Sequence, residues 1–386
     1  MEAVLSGYWR DIFLLASGNA LAQFVGILGL PLLSRLYSPE EFAVQSLFVQ
    51  ITMYISGVIA WRYEYLIQLP KNSNDAYALH RLVLVGGSVS AIILTGVIAH
   101  WHLYFANLLG SDAIAPWVVA APISALIISW SISTQNLVQR YSRYKASAIS
   151  ELFGKLSYVG CGLVGKITTG TSIGLILAVP ISALGKLGSL NYSASSILKN
   201  GGNYRLRQLL GIGGRYGRLA SSMVLSHLLM NTTSAITLVA IARIYGEGAL
   251  GQYSLVIATI FLPTGLIGNA IGQVYYQRAA KKWANGDEIV SIWYETIKKL
   301  LMFGLPIFSI AYFVVSEAYP IIFGEAWLEA GKMATYFTIA AFFSFISSPL
   351  DRTCLIVGIW WYPITWHAFR IVSTALVVLL TWQYQL

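Results

Sequence analysis

Charged residues along the chain fall in clusters separated by long apolar stretches. None lies between Asp11 and Arg35, between Glu41 and Arg62, between Arg81 and Asp112, or between Asp112 and Arg140. The same holds from Lys166 to Lys186, from Arg218 to Arg243 and from Glu247 to Arg278, with shorter gaps from Lys299 to Glu317, Lys332 to Asp351 and Arg370 onward. About 20 mostly apolar residues cross a bilayer as a helix. The pattern predicts eleven such spans, near 11–33, 42–60, 81–100, 113–131, 147–165, 172–190, 219–241, 252–274, 299–316, 333–357 and 364–382. The first is long, leaves through Pro31-Leu-Leu33 and lacks an A-x-A-like site, so it reads as a span and not as a cleaved signal.

The loops between these spans alternate in charge. One set holds Arg62, Lys71, Arg81, Arg140, Arg143, Lys145, Lys199, Arg205, Arg207, Arg215, Arg218, Arg278, Lys281, Lys282, Lys298 and Lys299. The other holds only Arg35, Lys166, Arg243 and Lys332, beside Glu40, Glu41, Asp112, Glu247, Glu317, Glu325 and Glu329. Short loops rich in Lys and Arg stay in the cytoplasm, which puts the amino terminus, with Arg10, inside. Aromatic clusters such as Trp61-Arg-Tyr63-Glu-Tyr65 and Trp360-Trp-Tyr362 mark span ends at the headgroup level.

Composition agrees with this reading. Of the 386 residues, 56% are hydrophobic and 11% charged, against about 25% charged in soluble domains. A water-soluble enzyme is excluded, because there is too little polar surface to cover it. The formal charge of +9 is accounted for by the basic loops, so no nucleic-acid partner is expected. Cys161 and Cys354 both sit in apolar stretches, and two cysteines make neither a disulfide scaffold nor a cysteine-rich metal site.

An internal repeat gives the architecture. Under an offset of 208, Arg35 meets Arg243, Tyr37 meets Tyr245, Ser46 meets Ser254 and Leu47 meets Leu255, each pair in a segment that leaves an odd-numbered span and enters the next. A repeat of even helix number keeps its orientation, so it predicts two parallel bundles with a substrate path between them. The fold class is an all-α polytopic membrane protein: a first bundle over 1–198, a basic glycine-rich linker over 199–217 and a second bundle over 218–386. A first lobe of 208 residues leaves 178 for the second, about one span short, so a shortened second lobe is expected. Gly211-Ile-Gly213-Gly-Arg-Tyr-Gly217 has the wrong spacing for a phosphate loop.

Polar groups inside hydrocarbon are costly and ask for a role. Asn19 and Gln23 share a face of the first span, His227 and Asn231 repeat that spacing in the seventh, and Asn269 and Gln273 in the eighth. Three such pairs suggest a polar cavity between the lobes. Arg62 and Glu64, two apart, would not face each other along a helix, so an irregular geometry is expected there. Asp351 and Arg352 could form an ion pair or a gate. Glu151 and Lys155, four apart, look like a self-paired couple. There is no nucleotide-binding loop, no H-E-x-x-H and no long extramembrane region. No catalytic residue, metal or cofactor is therefore expected. Energy would come from an ion gradient, the membrane potential or coupling to later steps.

Asn19-Ala-Leu-Ala-Gln23, Pro31-Leu-Leu-Ser-Arg35-Leu-Tyr37-Ser-Pro-Glu-Glu-Phe42 and Arg62-Tyr-Glu64-Tyr-Leu-Ile-Gln-Leu-Pro70 together resemble the polysaccharide exporter branch of the MOP superfamily, the Wzx-type flippases. Arg243-Ile-Tyr-Gly-Glu-Gly-Ala-Leu-Gly-Gln-Tyr-Ser254 fits the same family. The resemblance implies two six-helix bundles around a V-shaped cationic cavity in a bacterial inner membrane; eleven spans would depart from the family's twelve or more. It implies transfer of undecaprenyl-pyrophosphate-linked oligosaccharide from the cytoplasmic to the periplasmic leaflet for O-antigen or another surface polysaccharide. A polysaccharide polymerase and a chain-length regulator would be partners. Arg62, with Arg35 and Arg243 at the outer ends, would offer charge to the pyrophosphate, while Asn19, Gln23, Asn231, Asn269 and Gln273 would contact sugars. A MATE-like drug or cation antiporter shares the fold but favours a buried carboxylate, and a membrane-embedded glycan polymerase or ligase would need a larger outer loop.

Overall fold

The computed structural model describes residues 20–199, 202, 204–351, 353–359 and 361–384, and among these the chain is helix and turn without strand. The helices are α1 (Ala20–Leu36), α2 (Pro39–Ile59), α3 (Ser73–His100), α4 (His102–Leu109), α5 (Ala115–Val118), α6 (Ala121–Arg140), α7 (Tyr144–Thr169) and α8 (Ile173–Ser193). They continue as α9 (Ser195–Lys199), α10 (Leu206–Ile260), α11 (Asn269–Ala284), α12 (Val290–Phe323), α13 (Leu328–Ser347), α14 (Thr353–Ile356) and α15 (Tyr362–Tyr384). Among the described residues seven helices are long and apolar enough to cross a membrane, or eight when the pair Asp112–Val118 and Ala121–Arg140, bent by 55°, counts as one. Large apolar side chains point outward along these helices, among them Ile92, Phe313, Val372 and Leu379. Such a surface suits lipid and not water.

Local chemistry sets the breaks. Ser38 opens α2 with a capping box: its hydroxyl accepts the Glu41 N–H, and the Glu41 carboxylate accepts the Ser38 N–H at 2.9 Å, with Pro39 at the first helical position. The register mate of Ser38 under the 208 offset is Gly246, which splits the 55-residue α10 into two arms. Its φ of 84° and ψ of 174° belong to a region open essentially to glycine alone. The repeat thus places a helix break at the same point of both bundles, once with a cap and once with a glycine.

Within the linker over 199–217, α10 begins at Leu206, where the Gln208 side chain accepts the Arg205 N–H at 2.8 Å. Two expectations are corrected. The span over 333–357 stops at Ser347, because Pro349 has no N–H to continue the helix and packs its Cα 3.1 Å from where a Cβ on Gly272 would lie. Glu151 does not pair with Lys155. It pairs with Lys186 at 2.7 Å, because α7 and α8 approach so closely at Gly154 that a Cβ there would meet Lys186 Cγ at 2.6 Å.

The two bundles meet at the end that carries the acidic loops. Ser34 Oγ donates to Phe323 O at 3.1 Å, and the fully buried Trp327 returns a bond from Nε1 to Ser34 O at 2.8 Å. The Phe42 and Trp327 rings meet edge to face at 5.0 Å. Around them Leu33, Tyr37, Leu255, Val256, Val315, Tyr319 and Phe323 form one apolar core drawn from both bundles. The helix starts at Pro39 and Gly251 touch: a Cβ on Gly251 would sit 1.7 Å from the Pro39 carbonyl oxygen. Gly251→Ala should therefore force the bundles apart there at a cost of about 1–3 kcal/mol, lowering the thermal midpoint of the purified protein by roughly 2–10 °C in tryptophan fluorescence. Gly214→Ala, whose Cβ would meet nothing within 4 Å, should leave the midpoint unchanged.

Candidate functional site

At the opposite, basic end, α2 stops at Ala60 and the next two residues take left-handed backbones, Trp61 at φ 52° and Arg62 at φ 61°. A left-handed residue that is not glycine costs about 1 kcal/mol or more, so surrounding contacts must hold it. Three contacts do. Trp61 Nε1 donates to Ser221 Oγ at 3.2 Å, Tyr63 OH donates to Gly213 O at 2.8 Å, and Asn136 Nδ2 donates to Glu64 O at 3.0 Å. The turn then continues as a single 3-10 turn over Tyr63–Tyr65. This irregular backbone brings Arg62 and Glu64, which could not meet along a straight helix, to 3.6 Å between Nη1 and Oε1.

Arg62 also reaches across to the second bundle, where its Nη2 lies 2.8 Å from His227 Nδ1. His227 Nε2 stands 2.8 Å from Met53 O, an acceptor only. The imidazole proton is therefore on Nε2, and Nδ1 accepts from the guanidinium. The Arg62 guanidinium lies 4.5 Å from the Tyr65 ring centroid. Glu64 is fully buried, and among the described residues neither of its carboxylate oxygens has a hydrogen-bond partner. Arg62 Nε has none either. Burial pushes the Glu64 carboxyl up to about 7, against the opposing pull of the Arg62 charge. One ion pair is thus held with part of its hydrogen-bonding capacity unspent.

The His227–Asn231 pair is engaged in the seam between α2 and α10. Asn231 Nδ2 donates back to His227 O at 2.8 Å, Gln50 Nε2 donates to Asn231 O at 3.3 Å, and Tyr54 OH lies 3.2 Å from Thr232 Oγ1. Gly57 makes room for the imidazole, since a Cβ there would lie 2.3 Å from His227 Cδ2. Arg62, Glu64, His227 and Asn231 thus form one connected group.

The remaining candidates lie elsewhere. Gln23 lines a cavity of about 190 Å³ between α1, α7 and the second arm of α10, with Gly26, Lys155, Tyr158, Ala258 and Leu262. Lys155 was missed as a site residue because its i−4 neighbour Glu151 offered an obvious partner. Arg35 donates to the carbonyls of Ile321 at 2.6 Å and Ile322 at 3.2 Å, at the end of α12. Arg243 donates to Asn107 O at 2.5 Å. Both arginines thus bond to backbone carbonyls at the acidic end, the opposite end of their helices from the Arg62 group. Asp351 lies on the turn after α13. Asn19 and Arg352 lie outside the described residues, as do the side chains of Asn269 and Gln273. Among the described residues no three His, Cys, Asp or Glu side chains gather in a way that could hold a metal.

A family model described as polysaccharide biosynthesis protein matches residues 32–332. No curated protein matches in sequence. Among solved structures, the chain is similar to one titled lipid II flippase MurJ in an inward closed conformation, with a TM-score of 0.72, 13% identity, and 94% of this chain and 80% of that chain covered. An inward-facing multidrug resistance MATE transporter of the MOP superfamily gives a TM-score of 0.52 at 12% identity, with coverage of 95% and 84%. The eukaryotic MATE transporter AtDTX14 gives 0.52 at 14% identity, with coverage of 96% and 95%. With the family model matched over residues 32–332, most of the chain, the chain belongs to the polysaccharide biosynthesis protein family.

Proposed function

We propose that this protein is a flippase, not an enzyme, that carries undecaprenyl-pyrophosphate-linked oligosaccharide repeat units from the cytoplasmic to the periplasmic leaflet of a bacterial inner membrane, for O-antigen or a related surface polysaccharide. The basic end faces the cytoplasm, by its Lys and Arg content. The observation that carries the reading is Arg62: a half-buried guanidinium at the cytoplasmic end that bonds across the two bundles and keeps a buried donor, Nε, free. A planar guanidinium is the side chain best shaped to grip a phosphate with two parallel bonds. The sugar chain needs the polar donors and acceptors of the seam, while the polyprenyl tail can stay in lipid.

The places where the bundles touch support a reading of alternating access. The acidic end is closed by the Ser34–Trp327 and Pro39–Gly251 contacts and must open to release the glycan outside. At the cytoplasmic end the Arg62–His227 bond joins the bundles, and a diphosphate that takes the Arg62 donors would replace that bond. Substrate binding and separation of the bundles are thereby linked through one residue.

The same group supports a reading of coupling to protons. With Glu64 ionised, its carboxylate compensates Arg62; with Glu64 protonated, Arg62 is a free cation. The groups facing the Glu64 carboxyl are Arg62 and Tyr65, Asn136 bonds its backbone O, and His227 beyond Arg62 is neutral because its Nδ1 accepts from the guanidinium. Its carboxyl titrates near 7, raised from 4.5. Uptake of a proton below about 7 and uptake of an anion therefore favour each other. A MATE-like antiporter is the second reading, favoured by this same buried carboxylate.

Two tests follow. In liposomes holding a pyrophosphate-linked glycan lipid, with a membrane-impermeant glycosidase outside, the wild-type protein should expose the inner pool. Arg62→Ala should slow that exposure roughly 30- to 100-fold, the loss of a charge-assisted contact or two, with folded protein retained; wild-type flipping by that variant removes Arg62 from the mechanism. Affinity for the same lipid should fall as pH rises through about 7, by up to about tenfold per unit for one linked proton, because the ionised Glu64 then competes for Arg62. A diphosphate diester stays ionised across this range, so the dependence would belong to the protein. Glu64→Gln should flatten the curve at its low-pH level, and an unchanged slope in that variant would place the coupling elsewhere.

A further inference from the structure

Three lysines lie along α7 and α8 beyond their first turns: Lys155, Lys166 and Lys186. Two of them are paired, Lys166 with Glu41 at 2.7 Å and Lys186 with Glu151 at 2.7 Å. Lys155 is not. Its i−4 neighbour Glu151 is already committed to Lys186 and also accepts from Gln135 Nε2 at 3.0 Å. Among the described residues Lys155 has no ion pair and no hydrogen bond. It lies eleven residues into the 26-residue α7, about 16 Å from the start of that helix, near the middle of a helix that packs along the membrane-length α8 at the depth of its apolar stretch. An unpaired cation at that depth is costly and asks for an anion.

The surroundings fit one. Gly26 of α1 lies against the lysine, whose Cδ, Cε and Nζ stand 3.6–3.7 Å from where a Cβ would lie, so a methyl would just touch the stem and a larger side chain would press on it. The lysine lines the 190 Å³ cavity beside the Gln23 amide, and no acidic side chain lines it. Tyr158, the other polar group there, accepts from Gln45 Nε2 and so keeps its own O–H as a further donor. Ala258 and Leu262 close the cavity from the second bundle, so it lies between the bundles and not within one. A cation and an amide donor converge on a small space with no counter-charge of its own.

We propose that Lys155, assisted by Gln23, is a phosphate-binding station midway along the path, which receives the diphosphate of the lipid-linked substrate after it leaves Arg62. This rests on the flippase reading for the identity of the ligand, since an anionic phospholipid headgroup offers the same phosphate chemistry. The full-length protein in detergent is titrated, with binding read by native mass spectrometry, against undecaprenyl diphosphate and separately against phosphatidylglycerol. Lys155→Gln should weaken undecaprenyl diphosphate binding about tenfold or more, Lys155→Arg should stay within about threefold of wild type, and Lys332→Gln should match wild type. Gly26→Val, which would press on the lysine stem, should weaken binding as well and serves in place of Lys155→Gln if that variant does not fold. Undecaprenyl diphosphate binding that is insensitive to both Lys155→Gln and Gly26→Val overturns the proposal while leaving the flippase reading intact. Lys155-dependent binding of phosphatidylglycerol alone keeps the phosphate site and removes the substrate reading. Binding of neither probe overturns the site.

Discussion

Inside an apolar slab no water stands ready to pair a charge or a peptide group, so the protein must supply every partner itself. The architecture is a set of answers to that demand. Helices satisfy their own backbones, and what remains are the points where a helix must stop or a charge must enter. At the acidic end those points are Ser38, capped by Glu41, and Gly246, which takes a backbone other residues avoid. Arg35 spends its guanidinium on the free carbonyls at the end of α12, and Trp327 spends its indole N–H on Ser34 O. The bonds that finish these helix ends are also the bonds that join the bundles. Closure of the acidic end and satisfaction of its backbone are one event.

The basic end answers the same demand less completely. The two left-handed residues after α2 turn Arg62 back toward α10, where a neutral imidazole, a carboxylate and an aromatic face share one guanidinium. None of these is a full bidentate partner, and Glu64 keeps both oxygens without hydrogen bonds among the described residues. A group so arranged is stable enough to persist and incomplete enough to exchange partners. That combination suits a contact that must break in each transport cycle.

Equivalent positions in the two repeats have taken different work. Gln23 and Asn231 are related by the 208 offset, yet Gln23 lines a cavity beside Lys155 while Asn231 is spent on the α2–α10 seam. Lysines show the same divergence. Lys166 and Lys186 found carboxylates on neighbouring helices and became structural, whereas Lys155 lost its sequence neighbour to Lys186.

Helix positions, the acidic and basic ends and the repeat were legible along the chain, because hydrophobic length, loop charge and capping residues act within one helix or one turn. Arg62 and Glu64 could be singled out for the same local reason, as charges two residues apart at the end of an apolar stretch. Where α10 begins could be read only from the Arg205–Gln208 contact, and the stop at Ser347 needed Pro349 weighed above the apolar run around it. What no local rule could give was pairing between helices. His227 meets Arg62 from 165 positions away because Gly57 opens a gap of the right size, and Lys186 takes Glu151 because Gly154 lets α8 close on α7. Sequence thus determined which groups would be costly in the membrane, and the tertiary structure alone decided which found partners, since that depends on how near two helix surfaces come.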